Sequence, residues 1–68
     1  MDKQLLQSLI DCSDGEFVNL PQFFSLHPDT PVLRSRLKKL AAAKYISVLY
    51  TEDGINDIAL NRKALNQK

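Results

Sequence analysis

A change of apolar period between residues 45 and 46 constrains this chain more than any other feature. In TPVLRSRLKKLAAAKY, residues 30–45, Leu33, Leu37 and Leu40 recur at helical spacing; on a wheel of 100° per residue they fall within about 60° of one another. They form one core-facing stripe. In ISVLYTEDGINDIALN, residues 46–61, the apolar residues alternate instead, which is the period of a strand half-buried on one face. The spacing predicts a helix over 31–44 and a hairpin with strands at 46–51 and 56–61. A three-residue loop at Glu52-Asp53-Gly54, with Gly54 in a left-handed bulge position, would pair Tyr50 with Asn56, Val48 with Ile58 and Ile46 with Leu60. This register puts five of those six side chains on one buriable face, and a slip of one residue would invert it.

The N-terminal half supplies the partners such a hairpin needs. Leu5, Leu6, Leu9 and Ile10 form a helical stripe in a helix over 2–12, with Asp2 able to cap it. Ser13-Asp14-Gly15 reads as the turn that ends this helix, and a short strand at 16–18 follows. Asn19-Leu20-Pro21 starts a helix over 20–26 carrying Leu20, Phe23 and Phe24, and Thr30-Pro31 repeats the cap-then-proline signal before the long helix. Asn61 onward adds a further turn of helix through Arg62, Lys63 and Leu65. The expected class is α+β, mainly α, in the order α-β-α-α-β-β with a small antiparallel sheet.

With 68 residues the chain has room for one domain, 1–68, and no run of apolar residues approaches the ~20 needed to span a membrane. Its N-terminus, MDKQLLQSLIDCSD, carries acids where a signal peptide needs a basic flank, so a cytoplasmic location is expected. The single Cys12 cannot form an internal disulfide, and one histidine with one cysteine makes no structural zinc set. No cofactor or metal is expected. The chain does not read as an enzyme: His27 lies in a proline-containing connection where a turn or capping role suffices, and Cys12 reads as a small core residue. Asp11, Asp14 and Glu16 lack the spacing of a calcium loop.

The net charge of +1 conceals an asymmetry. Residues 1–29 hold one base against five acids, whereas residues 30–68 hold eight bases against three acids. Five of those bases and no acid lie between Thr30 and Thr51. On the wheel Pro31, Ser35 and Ala42 lie opposite the leucine stripe, with Arg34 and Lys38 on one side and Lys39 on the other. Arg36 falls nearer the core edge, where an arginine lays its stem over apolar neighbours.

The order of elements, with Leu33-Arg34-Ser35-Arg36-Leu37-Lys38-Lys39-Leu40 followed by Tyr45-Ile46, resembles the winged-helix form of the helix-turn-helix superfamily and is similar to the recognition-helix pattern of bacterial winged-helix repressors. Asn19-Leu20-Pro21-Gln22-Phe23-Phe24 resembles the supporting helix of that motif. The resemblance implies a transcription regulator, or an accessory factor of a mobile element, whose third helix lies in the major groove of double-stranded DNA. The contact candidates it implies are Arg34, Ser35, Lys38 and Lys39, with Thr30 as a phosphate contact at the helix start. Arg34 would meet a guanine edge and the lysines phosphates.

Two positions depart from the pattern. The wing tip is acidic, Glu52-Asp53, where DNA-binding wings carry bases, and Lys44 stands where glycine often ends the recognition helix. A second reading therefore stands beside the first: a winged-helix module that binds protein without DNA, or a homodimer, through an apolar patch of Leu5, Leu6, Leu9 and Ile10 on the first helix. Tyr45 and Tyr50 fit the core at the sheet edge better than a base-stacking platform.

Overall fold

The computed structural model describes residues 1–67, and Lys68 lies outside the described residues. The chain runs α1 (Lys3–Asp11), β1 (Ser13–Asp14), β2 (Phe17–Val18), α2 (Leu20–Leu26), α3 (Pro31–Ala42), β3 (Ile46–Thr51), β4 (Gly54–Leu60) and α4 (Arg62–Leu65). It is a small α+β domain. The four strands form one antiparallel sheet in the order β1-β2-β4-β3.

Three helices begin on side-chain caps, each satisfying a backbone N–H that the helix leaves without a partner. Asp2 Oδ1 accepts from Leu5 N at 3.1 Å, Asn19 Oδ1 from Gln22 N at 3.1 Å, and Thr30 Oγ1 from Leu33 N at 3.1 Å. Pro21 and Pro31 sit in the first turns of α2 and α3, where a missing N–H costs nothing. The helix expected over 31–44 stops at Ala42, because Lys44 adopts a left-handed backbone with φ 69°. Lys44 N then donates to Ala41 O at 2.9 Å and Tyr45 N to Leu40 O at 3.0 Å. This pair of bonds is the Schellman closure that glycine usually makes. Lys63 on α4 reinforces it by donating from Nζ to Ala43 O at 3.1 Å while lying 4.4 Å above the Tyr45 ring.

The structure corrects the expected turn after the first helix. Ser13 and Asp14 are a strand, not a turn; they pair with Val18 and Phe17, and the chain reverses through Gly15 (φ 70°) and Glu16. The strand expected over 16–18 is thereby shortened to Phe17–Val18. β2 is held centrally by β4, with Phe17 opposite Ala59 and Leu60 N donating to Glu16 O.

The hairpin keeps the pairs Ile46/Leu60 and Val48/Ile58, but Tyr50 faces Ile55 instead of Asn56 and Thr51 faces Gly54. Only Glu52 and Asp53 form the connection, and β4 starts two residues earlier than the expected 56–61. Asn56 is the extra residue of a bulge. Without it, strict alternation would turn Asn56 inward and Ile55 outward; the bulge lets Ile55 pack against the core and leaves Asn56 in solvent.

The core gathers Leu5, Leu6 and Leu9 from α1, Phe23 from α2, Leu33, Leu37 and Leu40 from α3, Ile46 and Ile58 from the hairpin and Ala64 from α4. Cys12 belongs to it, and burial pushes its thiol pKa up. The patch expected on the first helix is overturned: Leu5, Leu6, Leu9 and Ile10 are all buried within the chain, since so small a core needs every one of them. They offer no surface to a second copy or another protein. His27 caps the end of α2 and meets Ser8 Oγ at 3.1 Å, tying α2 to α1.

Asp2 does more than cap α1. Arg36 donates from Nε to Asp2 Oδ2 at 2.6 Å and from Nη2 to Oδ1 at 3.2 Å, which locks the start of α1 to the middle of α3. That guanidinium, with the Leu5 N–H, holds the Asp2 carboxyl below its ordinary range despite partial burial. Because the folded-state pKa is lowered, the stabilisation is complete above the ordinary carboxylate pKa and is lost as pH falls through the lowered one. Asp2→Ala should destabilise the fold by at least about 1 kcal/mol, the usual worth of a cap. Asp2→Asn, able to cap but not to pair ionically, should cost less, and denaturant unfolding as a function of pH should show reduced acid sensitivity in both variants.

Candidate nucleic-acid interface

The burial of Leu33, Leu37 and Leu40 fixes the rotation of α3 and therefore which of its side chains face outward. The outward arc runs over about 200°, from Arg34 at one edge to Arg36 at the other. Between these edges Pro31, Val32, Ser35, Lys38, Lys39 and Ala42 are all exposed. α3 itself contains no acidic residue.

Each flanking arginine is held by a carboxylate from outside the helix. Arg34 donates from Nε to Asp29 Oδ1 at 2.8 Å and from Nη2 to Asp29 Oδ2 at 2.9 Å, a side-on bidentate pair. Arg36 makes the corresponding pair with Asp2. The Arg34 guanidinium keeps the Asp29 carboxyl below its ordinary range, and the carboxylate in turn raises the pKa of Arg34. Arg34 therefore does not reach freely outward. Two of its five N–H donors are engaged by Asp29, leaving three for another acceptor.

The hairpin closes on the same guanidinium. Gly54 is buried with φ 117°, and a Cβ placed there would stand 2.7 Å from Arg34 Nη2. Arg34 thus links the segment before α3, α3 itself and the hairpin turn. Lys38 and Lys39, by contrast, take part in no ion pair among the described residues.

Of the five residues expected at the interface, four come together. Thr30, Arg34, Ser35 and Lys38 line one open cleft of ≈ 600 Å³ whose opposite wall is Tyr50. Lys39 does not share it; it lines a second cleft, also of ≈ 600 Å³, with Arg36, Tyr45 and Lys63. The acidic tip, Glu52 and Asp53, is exposed.

Four participants escaped the sequence reading. Tyr50 is 43% exposed and lines the cleft, because it stands near the hairpin's turn, one step beyond Val48, the last β3 side chain on that face to pack against the core. Asp29 was detectable in principle: helical side chains tilt toward the N-terminus, so an acid just ahead of the cap lies within reach of Arg34. Gly54 shows only its backbone freedom in the sequence, and its closeness to Arg34 is a tertiary fact. Val32 carries no signal of its own in the sequence, yet it is 71% exposed as the second residue of α3.

Comparisons of the chain with protein-family models, curated proteins and solved structures return no match.

The contact between Gly54 and Arg34 leads to a stability prediction. Gly54→Ala should destabilise the fold by about 2 kcal/mol, through its positive φ and the overlap with the guanidinium. In an Arg34→Ala background the overlap is gone and the same substitution should cost measurably less, as a double-mutant cycle by urea denaturation would show.

Proposed function

We propose that this chain is a winged-helix domain that lays the outward face of α3 in the major groove of duplex DNA, serving as a transcription regulator or an accessory factor of a mobile element. The observation that carries this reading is the outward arc of α3. It is broad, free of acids, carries two lysines that make no ion pair among the described residues, and opens onto the cleft where Thr30, Arg34, Ser35 and Lys38 converge opposite Tyr50. A helix of this kind fits the ≈ 12 Å width of the major groove.

In this reading Lys38 and Lys39 meet phosphates on the two sides of the helix, and Thr30 adds a hydroxyl at its start. Ser35 faces base edges. Arg34 approaches a guanine with the donors Asp29 leaves over, while Arg36, engaged with Asp2, stays structural. The hairpin acts as a short wing whose body positions Arg34 and whose acidic tip stays away from the backbone. The electrostatic affinity is accordingly modest and comes from few contacts.

The exposed pair Phe17 and Leu49, 51% and 55% accessible, favours a second reading. Both lie on the sheet face turned away from the helices, connected through Ala59, which stands opposite both Phe17 and Ser47. A protein partner would dock there.

Fluorescence anisotropy with a random-sequence duplex over a salt series tests the DNA reading. Each phosphate contact contributes about −0.9 to the slope of log K against log salt, so the two lysines predict a slope of about −2. Lys38→Ala should weaken all sequences alike and flatten the slope by about 1, whereas Asp29→Asn, which frees Arg34, should steepen it by about 1. Absence of binding at about 50 mM salt, where such contacts are strong, would overturn the proposal.

A further inference from the structure

Val32 has no explanation in the fold. It sits at the second position of α3, where a β-branched residue is a weaker helix former than most, it caps nothing, and it is 71% exposed. It is not an isolated apolar side chain. Leu26, at the end of α2 and 63% exposed, lines the same shallow depression of ≈ 200 Å³ across the turn between the two helices.

The setting says what such a patch would meet. Val32, Ser35 and Lys39 stand at i, i+3 and i+7, one ridge that runs from the centre of the outward arc toward its Arg36 side, with Lys38 across the centre from Val32. Positive charge without an acid along this ridge complements a polyanion. The one apolar group that duplex DNA displays between its phosphates in the major groove is the 5-methyl of thymine, and apolar side chains read it by contact. Arg34 is held at the edge of the arc by Asp29 and approached at Nη2 by the hairpin turn, whereas Val32 stands 71% exposed.

We infer that Val32 is a specificity-determining residue that packs on a thymine 5-methyl group, with Leu26 extending the apolar surface, so that the domain prefers A·T-containing sites in which a methyl faces the start of α3. This rests on the DNA-binding reading above. The methyl contact supplies discrimination, and the lysines supply affinity that does not depend on sequence.

The test compares two duplexes that differ only in that methyl group: an alternating dA–dT duplex and its counterpart with deoxyuridine in place of thymidine. Wild-type protein should bind the deoxyuridine duplex more weakly, by about fourfold for each methyl contacted, the effect of burying one such group. Val32→Ser, a substitution at an exposed site near a helix start, should abolish the difference and keep the salt dependence of the parent, and unchanged thermal unfolding would verify its fold. Equal wild-type affinity for the two duplexes would overturn the inference while leaving the DNA-binding reading intact. A preference that persists in Val32→Ser would also overturn it, since the discrimination would then come from duplex shape or from another residue. Failure to bind either duplex would remove the DNA-binding reading itself.

Discussion

The packing of Leu33, Leu37 and Leu40 into the core is the interaction on which the rest of the molecule depends. Three leucines at 4% exposure or less leave α3 no freedom to rotate about its axis. That rotation decides that the lysines, Ser35 and Val32 face outward, that Arg34 faces the hairpin and that Arg36 faces α1. In a chain this small the same leucines also support both the helical layer and the sheet, so the exposed basic face and the core that stabilises the fold lie on opposite sides of a single helix.

Around that helix, ion pairs sort the basic residues into different roles. Asp29 and Asp2 hold the two arginines at the edges of the outward arc, each through two hydrogen bonds. Pairs this open to solvent, the Asp29 pair more than the half-buried Asp2 pair, contribute little to stability, but they fix planar guanidinium groups in place. Arg36 becomes a strut between α1 and α3, and Arg34 becomes the point where the hairpin rests. The lysines keep their charge uncompensated among the described residues. A run that looks like five equivalent bases is thus two fixed arginines, two outward lysines and Lys44 in the helix closure.

Most helix starts and the leucine stripe could be read directly from the residues, because caps and helical spacing are local and each has a single geometric meaning. The hairpin was readable to its middle. Its tip was not, since the choice between Ile55 and Asn56 for the inward position is made by contact with the core and shows no signal in alternation alone. β1 escaped because Ser13 and Asp14 have no strand preference; they pair only because β2 lies beside them. The apolar stripe of α1 invited a docking role that the small core removed. At the candidate site the residue types were visible, but the pairing of Arg34 with Asp29 and its cover by Gly54 join positions whose contact exists only in the folded chain.

The central claim is that the outward face of α3 is the surface this domain presents to duplex DNA. An NMR titration of the isotope-labelled chain with random-sequence duplex DNA tests it most directly. Amide shift changes are expected to centre on residues 30–44, greatest around Val32, Ser35, Lys38 and Lys39, with smaller ones at the adjoining Leu26 and Tyr50. Changes centred instead on Phe17 and Leu49 on the outer face of the sheet, or no changes at all, would contradict it.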